Sequence, residues 1–262
     1  MAAAAERERT SPLAERTVMV TGASSGIGRA IALAAARAGA DVAITYRGSE
    51  RRAREAAAEI EELGRRARVY QLDLGDELAI ATLVEQVWAD VGPVDAWVNN
   101  AGADILTGPS AGLSRLQKLD MLLRVDLRGT MLASWEVAER MRTQPAGGVI
   151  LNMSWDHVTF GMEGENPQMF SAVKGGVVSF SKSLARSVAP AVRVNILAPG
   201  WIETAFGEAI AESSYYRFVV EQTPLKRWGT PEDVAGAAVW LMSPSAEFVT
   251  GQMVSVNGGV VM

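Results

Sequence analysis

The sequence contains no cysteine and only one histidine, His157. Without cysteine the chain has no means of forming a disulfide, a thiolate nucleophile or a thiolate metal site. A single histidine is too few for the histidine clusters that hold zinc, so we expect no metal centre. Any chemistry must therefore rest on groups other than thiolates and metal ions.

Basic charge and long apolar runs are also scarce. The chain has 25 basic and 30 acidic residues, and its net charge of -5 excludes the basic footprint of nucleic-acid-binding proteins. The arginines at 51, 52 and 54 are interleaved with glutamates, which is typical of a solvated helix face. No apolar run reaches the roughly 18 residues that span a bilayer, and residues 1–15 lack the apolar core of a signal peptide. We therefore expect a soluble cytoplasmic protein with a flexible tail over residues 1–15 and with no membrane partner.

Short apolar runs alternate with helical patterns from residue 16 to the end of the chain. The predicted strands lie at 17–20, 41–46, 67–72, 94–98, 148–153, 192–197 and 253–256. The predicted helices lie at 27–38, 50–63, 77–90, 120–141 and 170–188, with a last one that follows Thr230. This alternation predicts an α/β fold, a single Rossmann-type domain over residues 16–262 whose doubly wound parallel sheet has about seven strands and helices on both faces. Residues 201–223 break the rhythm, and we predict that they form a substrate lid over the C-terminal edge of the sheet.

A glycine-rich turn, Thr21-Gly22-Ala-Ser-Ser-Gly26-Ile-Gly28, lies between the first predicted strand and the first predicted helix. In that context Gly22 allows a sharp turn, Gly26 lets the backbone approach a pyrophosphate, and Gly28 lets the helix pack on the strand. The free N–H groups and partial positive charge of the helix N-terminus attract phosphates. The turn therefore predicts a dinucleotide site.

The Gly-x-x-x-Gly-x-Gly spacing of this turn, together with four later motifs, resembles the classical short-chain dehydrogenase/reductase family, in its 3-oxoacyl-carrier-protein reductase-like branch. The four motifs are Asp73-Leu74, the Asn-Asn-Ala-Gly turn at 99–102, the Asn-x-x-x-Pro-Gly segment at 195–204, and the terminal strand at 251–259. The resemblance covers roughly residues 17–259. It implies a nicotinamide dinucleotide, a small or acyl substrate, and a homodimer or homotetramer built from the helices around 120–141 and 170–188.

The resemblance also implies which residues contact the cofactor. They are Gly22, Ser24, Ser25, Gly26, Ile27, Gly28, Tyr46, Arg47, Asp73, Leu74, Asn100, Ala101, Gly102, Lys174, Pro199, Gly200, Ile202 and Thr204. An acidic residue at the end of the second strand would bind the ribose hydroxyls of NAD, but here that strand ends with Arg47. A guanidinium in this place favours a 2′-phosphate, so we predict NADP(H), with NAD still possible.

The family's catalytic Asn, Ser, Tyr and Lys are largely replaced in this chain. The tyrosine position falls on Phe170, which has no hydroxyl to donate a proton. The serine position falls on Trp155 and the asparagine position on Asp126, so that only Lys174 is retained. We expect Trp155, Phe170 and Trp201 to line an apolar substrate pocket.

Two interpretations of these replacements stay open. In the first, the chain is an NADP(H)-dependent oxidoreductase that reduces a carbonyl or related double bond with relocated groups. Lys174, Asp126 and His157 are then the catalytic candidates, with Tyr215 and Tyr216 in the lid as further ones. In the second, the chain is a catalytically weak or inactive member that binds NADP(H) as a sensor, a regulator or an oligomer partner. The same residues also allow a plainer interpretation, in which His157 is a loop residue and Asp126 a surface carboxylate.

Overall fold

The computed structural model describes residues 11–262 and places all the predicted strands in one parallel sheet. The strands are β1 (Thr17–Val20), β2 (Asp41–Tyr46), β3 (Ala67–Gln71), β4 (Ala96–Asn99), β5 (Gly148–Met153), β6 (Val192–Pro199) and β7 (Met253–Val256). Their order across the sheet is β3-β2-β1-β4-β5-β6-β7, and every pairing is parallel. The chain crosses over between β3 and β4, which confirms the doubly wound α/β fold.

Helices cover both faces of this sheet, because each parallel connection must cross over it. They are α1 (Gly26–Arg37), α2 (Glu50–Glu62), α3 (Glu77–Val91), α4 (Arg115–Leu122), α5 (Thr130–Thr143), α6 (Glu165–Val188), α7 (Ala205–Ala209), α8 (Ser214–Gln222) and α9 (Pro231–Met242). Within residues 11–262, none of the helices is long and apolar enough to cross a bilayer.

The sheet separates two hydrophobic cores. Neighbouring residues of a strand face opposite sides, so on β5 Leu151 packs with α1, α2 and α9, whereas Ile150 packs with α3, α5 and α6. Both side chains are fully buried. Burial on both faces explains why central strands such as β1 and β4 read as continuous runs rather than alternating ones.

The ordered domain begins earlier than the predicted boundary at residue 16. Residues 1–10 of the predicted tail lie outside the described residues. Leu13, however, is fully buried in the core beside α1, and its N–H donates to Ala38 O at 2.9 Å. The tail prediction therefore fails for the residues just before β1, because one apolar side chain in a polar stretch gives no periodic pattern.

Two predicted helices have different bounds in the structure. The segment predicted as one helix at 120–141 is α4 and α5 joined by a π-helical turn, Leu123–Gly129. At Gly129 a Cβ would lie only 2.6 Å from Leu74 O, so glycine lets this turn lie against the segment after β3. Helix α6 begins at Glu165 rather than at 170. Residues 201–223 carry the short helices α7 and α8 after β6.

A buried polar network joins the C-terminal ends of the central strands to the helices. Asn99 Nδ2 donates to Asn152 Oδ1 at 2.8 Å and to Ser134 Oγ at 3.0 Å. Asn152 Nδ2 donates to Ser181 Oγ at 2.9 Å, and Trp97 Nε1 donates to Asn99 Oδ1 at 2.8 Å. Because all these groups are buried, each bond must be satisfied within the protein. The network fixes β4 and β5 against α5 and α6.

We expect Asn152→Ala to lower the free energy of unfolding by about 2–3 kcal/mol, since it leaves the buried Nδ2 donor of Asn99 and the buried Oγ acceptor of Ser181 without their partner. Urea denaturation monitored by circular dichroism measures this change. Ser187→Ala is the control, because the exposed Ser187 hydroxyl bonds only to the carbonyl of Ser183 on its own helix. The control should shift stability by less than about 0.5 kcal/mol. Equal effects of the two substitutions would contradict a structural role for the network.

Candidate functional site

The glycine-rich turn and the 99–102 turn lie in direct contact at the C-terminal edge of the sheet. Gly22 has a φ of +66°, and a Cβ there would lie 2.8 Å from Ala101 Cα. A Cβ on Gly28 would lie 2.3 Å from Asn100 Nδ2 and 2.5 Å from Gly22 O. Gly28 is thus required by contact between the two turns, whereas the sequence suggested packing of helix on strand. Gly26 is needed for its φ of +55° rather than for space.

Hydrogen bonds hold the two turns together. Thr21 Oγ1 accepts from the backbone N–H groups of Asn100 and Ala101, both at 3.0 Å. The Asn100 side chain donates to Thr21 O at 3.0 Å and to Gly22 O at 3.1 Å. Asn99 and Asn100 therefore have separate tasks, since Asn99 belongs to the buried network and Asn100 shapes the turn.

The N-terminus of α1 opens toward this turn. Ser25 occupies the N-cap position with extended backbone and makes no side-chain capping bond. The first N–H groups of the helix therefore remain available, and they carry its partial positive charge. Such an end suits a phosphate group.

A cavity of about 710 Å³ runs along the C-terminal edge of the sheet; we call it the edge cavity. Most of the predicted cofactor residues line it: Gly22, Ser24, Ser25, Ile27, Gly28, Arg47, Asp73, Leu74, Asn100, Ala101, Gly102, Lys174, Pro199, Gly200 and Thr204. Gly26, Tyr46 and Ile202 do not line it. Tyr46 faces away because Thr45, its neighbour on β2, faces the cavity, and Ile202 is buried in the core.

Arg52 also lines the edge cavity, although the sequence predicted a solvated helix face for it. It lies close to Arg47 and Ser49 in the lining, and its Nε donates to Ser49 Oγ at 3.0 Å. The charge pattern of the sequence predicted the helix but not that its first turn lies at the C-terminal edge of the sheet. Asp41 lies at the opposite end of β2, where it pairs with Arg66 at 2.7 Å and does not line the edge cavity.

The edge cavity fits a dinucleotide. Its helix end favours a phosphate, and its length reaches from Arg47 and Asp73 to Lys174. Arginines therefore mark one end of the cavity, and a buried lysine marks the other.

Lys174 forms a buried ion pair with Asp126. Its Nζ lies 2.9 Å from Asp126 Oδ2, and both side chains are more than nine-tenths buried. Asp126 is on the π-helical turn and its Oδ1 also accepts from Ala103 N at 2.7 Å. The plainer interpretation of Asp126 as a surface carboxylate is therefore wrong. The pair joins α6, the π-helical turn and the 99–102 turn at one point of the edge cavity.

His157 lines neither the edge cavity nor a second, aromatic pocket that adjoins it and is described below. Its Nδ1 lies 2.7 Å from Asp156 Oδ1, and its ring stacks on Trp155 with the centroids 4.9 Å apart. Asp156 is fully buried and its Oδ2 accepts from Asn257 Nδ2 at 3.1 Å. Through these contacts His157 packs on the Trp155 ring, and Asp156 links the loop to Asn257 in the C-terminal segment. It does not place the imidazole as a proton donor facing the edge cavity.

A second pocket of about 370 Å³, the aromatic pocket, adjoins the edge cavity. The two share Ala103, Asp104, Trp155 and Phe170 among their lining residues. The remaining lining of the aromatic pocket is formed by Ile105, Leu106, Met162, Glu163, Asn166, Pro167, Trp201, Phe206 and Tyr215. Trp155, Phe170 and Trp201 thus lie where the sequence predicted an apolar pocket.

The two tyrosines of the 201–223 segment differ in position. Tyr215 lines the aromatic pocket, and burial raises the pKa of its hydroxyl. Tyr216 instead stacks flat on Trp228 at 4.7 Å and donates to Glu203, a hydrogen bond that raises its pKa. Only Tyr215 of this pair faces the pocket.

Comparison with known proteins agrees with this arrangement. A family model described as enoyl-(acyl carrier protein) reductase matches residues 22–261. The 3-oxoacyl-(acyl-carrier-protein) reductase FabG of Aquifex aeolicus is 38% identical over 247 residues, which are 92% of this chain and 96% of that protein. The L-rhamnose 1-dehydrogenase (NAD(P)(+)) of a Sphingomonas species is 36% identical over 251 residues, 94% of this chain and 96% of that one.

Solved structures show the same fold. A short-chain type dehydrogenase/reductase from Mycobacterium marinum superposes with a TM-score of 0.88 at 28% identity and covers 97% of this chain and 99% of its own. A blue fluorescent protein from a metagenomic library, solved in complex with NADPH, has a TM-score of 0.85 at 31% identity and covers 96% and 100%. The chain therefore belongs to the short-chain dehydrogenase/reductase family of oxidoreductases, which confirms the resemblance found in its motifs.

We expect Asp126→Ala to lower the free energy of unfolding by about 3–5 kcal/mol, because it leaves the Lys174 charge buried without a partner. Chemical denaturation at neutral pH measures the loss. The control is Glu55→Ala, which removes an exposed ion pair with Arg51 on the surface of α2. This control should cost less than about 1 kcal/mol. A loss at Asp126 no larger than the control would show that the buried pair does not hold the site together.

Proposed function

We propose that this protein is an NADP(H)-dependent reductase of a carbonyl or related double bond in a small or acyl substrate. The observation that carries the proposal is the junction of its two cavities. The edge cavity fits the dinucleotide, the aromatic pocket fits an apolar substrate, and they share Trp155 and Phe170. A cofactor in one and a substrate in the other would meet at that junction.

The preference for NADP(H) is supported by Arg47, Ser49 and Arg52 at one end of the edge cavity. Two guanidiniums and a hydroxyl offer charge-assisted hydrogen bonds to a 2′-phosphate. No acidic side chain lies among the described cavity residues contributed by the end of β2 or the start of α2. An acid there would instead favour the free ribose hydroxyls of NAD.

The reduced nicotinamide, when bound, supplies the two electrons and the hydrogen of the reduction. Among the chain's own groups, Lys174 offers N–H donors to the cofactor ribose, and Asp126 holds that ammonium in place at 2.9 Å. Trp155 and Phe170 exclude water from the junction, because they place apolar rings where the hydroxyl groups of a serine and a tyrosine would bind it. We assign His157 to holding Trp155, since it stacks on that indole and lines neither cavity.

A second candidate function is a weak or inactive member of the family that binds NADP(H) as a sensor or regulator. It is favoured by the absence of a hydroxyl from Phe170 and Trp155, which leaves no proton donor at these two positions. Under this alternative the edge cavity keeps its full role, and the aromatic pocket takes a ligand that is not reduced.

We expect Arg47→Ala and Arg52→Ala each to weaken NADPH binding roughly 10-fold and to leave NADH binding nearly unchanged, since each removes a charged contact to the 2′-phosphate only. Fluorescence titration of both cofactors measures the change. Arg54→Ala is the matched control, because Arg54 pairs with Glu50 on α2 and does not line the cavity. If NADPH affinity is unaltered in Arg47→Ala, the predicted preference is wrong.

Cofactor oxidation distinguishes the two candidate functions. NADPH consumption is followed with a panel of ketones, acyl thioesters, quinones and cyclic imines. Consumption with any of these supports the reductase. Tight NADPH binding with no consumption across the panel supports the sensor.

Assembly into a homodimer or homotetramer is part of the proposal and is supported by α5 and α6. Trp135 of α5 is 46% exposed and meets Phe180 of α6 edge-on at 5.6 Å. An exposed tryptophan packed on a half-buried phenylalanine, on two long helices, is a surface that a second copy would cover.

We expect Trp135→Lys to lower the molar mass measured by light scattering, because it introduces a charge into the proposed contact between copies. Leu78→Lys on α3 is the control, since Leu78 is also exposed, at 81%, but lies on another helix. The mass of the control should equal that of the unaltered protein. A Trp135→Lys protein of unchanged mass would place the contact elsewhere.

A further inference from the structure

The aromatic pocket is walled by rings whose faces carry partial negative charge. Trp155 meets Phe170 edge-on at 5.5 Å, and Trp201 meets Tyr215 edge-on at 5.6 Å. Phe206 lies 6.2 Å from Trp201. Several rings around one space form the kind of enclosure that binds quaternary ammonium and other organic cations.

The ionisable groups at the rim of this pocket are acidic. Among the described residues that line it, Asp104 and Glu163 carry charge, and both are carboxylates. Asp104 is held by its own loop, because its Oδ1 accepts from Leu106 N and Thr107 N, each at 2.9 Å. No hydrogen bond or ion pair of Glu163 occurs within the described part of the chain. The pocket therefore combines aromatic walls with negative charge.

The junction with the edge cavity offers little to stabilise a negative charge. Hydride addition to a neutral ketone produces an alkoxide, which needs a proton donor or positive charge. Neither Phe170 nor Trp155 carries a hydroxyl there, and the Ser154 hydroxyl donates to Lys174 O at 3.0 Å. The ammonium of Lys174 is countered by Asp126 at 2.9 Å. Each of these features disfavours an alkoxide.

The same features suit a substrate that begins as a cation and ends neutral. We infer that the aromatic pocket selects an organic cation with a carbon–nitrogen double bond, an iminium ion, rather than a ketone. This inference rests on the proposed reductase function for its chemistry, but the selection of a cation is a property of the pocket alone. It explains why carboxylates and rings occur together where a carbonyl reductase would need donors.

The reaction balances without an acid. Hydride from the reductant, NADPH, forms the new C–H bond at the iminium carbon and brings both electrons. The π pair of the C=N bond becomes the lone pair of nitrogen, so that the substrate turns into a neutral amine and NADP⁺ carries the positive charge. The amine takes a proton from water after release. Because no oxyanion forms, Phe170 in place of a proton donor costs the reaction nothing.

Tyr215 is the group that would contradict this inference, since its hydroxyl is a proton donor in the lining of the pocket. Burial raises its pKa and makes it a weaker acid. Tyr215 also packs against Trp201 on the 201–223 segment, whereas the Lys174 Nζ lies 5.6 Å from the ring centroid of Phe170. The tyrosine and the lysine therefore contact different rings of the site. Removing the Tyr215 hydroxyl therefore separates ketone chemistry from iminium chemistry.

The first experiment measures binding by calorimetry without cofactor. The probes are the N-methyldihydroisoquinolinium cation and α-tetralone, which have nearly the same shape and differ in charge. We expect the cation to bind at least roughly tenfold more tightly. Glu163→Gln should weaken the cation several-fold and leave tetralone unchanged. Glu208→Gln, an exposed carboxylate of the 201–223 segment outside the pocket lining, should change neither. Equal affinity for the two probes would overturn the inference.

The second experiment follows NADPH oxidation with the same probes. We expect the unaltered protein to reduce the cation and Tyr215→Phe to reduce it at a similar rate. We expect tetralone to be reduced only by Phe170→Tyr, which places a hydroxyl at the junction. Tetralone reduction by the unaltered protein that Tyr215→Phe abolishes would overturn the inference and leave the proposed reductase intact. Selective cation binding with no NADPH oxidation by these probes or by any compound of the panel above would support the pocket's selectivity and overturn the proposed reductase.

Discussion

The buried ion pair between Lys174 and Asp126 is the constraint on which the site depends. It joins α6 to the π-helical turn, and through Ala103 N it reaches the turn that follows β4. Neither charge is tolerable at this depth without the other. Three separate segments are therefore fixed at one point of the edge cavity, where the retained lysine of the family lies beside a carboxylate that neutralises it.

That neutralisation gives the other replacements a common physical meaning. An isolated lysine beside a tyrosine would favour a developing negative charge. A paired lysine beside Phe170 and Trp155 does not, and the carboxylates of Asp104 and Glu163 strengthen the difference. In our proposal the cofactor half of the site follows its family, whereas the substrate half favours a cation where the family's hydroxyl groups would favour a developing negative charge. One fold can carry both because the two halves draw most of their lining from different loops at the same edge of the sheet.

Helix and strand periodicity was enough to predict the sheet, because strands buried on both faces are continuous apolar runs between helical segments. The glycine turn was readable for a related reason, since positive φ and close contact leave glycine as the residue that fits Gly22 and Gly28. Periodicity failed where its rule does not apply. Leu13 is one apolar residue without a repeat, and the π-helical turn interrupts a helix without interrupting its composition.

The sequence by itself determined the fold, the dinucleotide turn and the family, since each depends on local patterns of residue type. Only the tertiary structure decided how distant side chains meet. It paired Asp126 with Lys174, brought Arg52 to the edge cavity, and set His157 behind Trp155 instead of in the site. The Asp126–Lys174 contact arises from crossovers that bring together residues far apart in the chain, whereas the positions of Arg52 and His157 depend on how their helix and loop pack at the edge of the sheet. Spacing along the sequence carries no information about such contacts, because the geometry of packed strands and helices sets them.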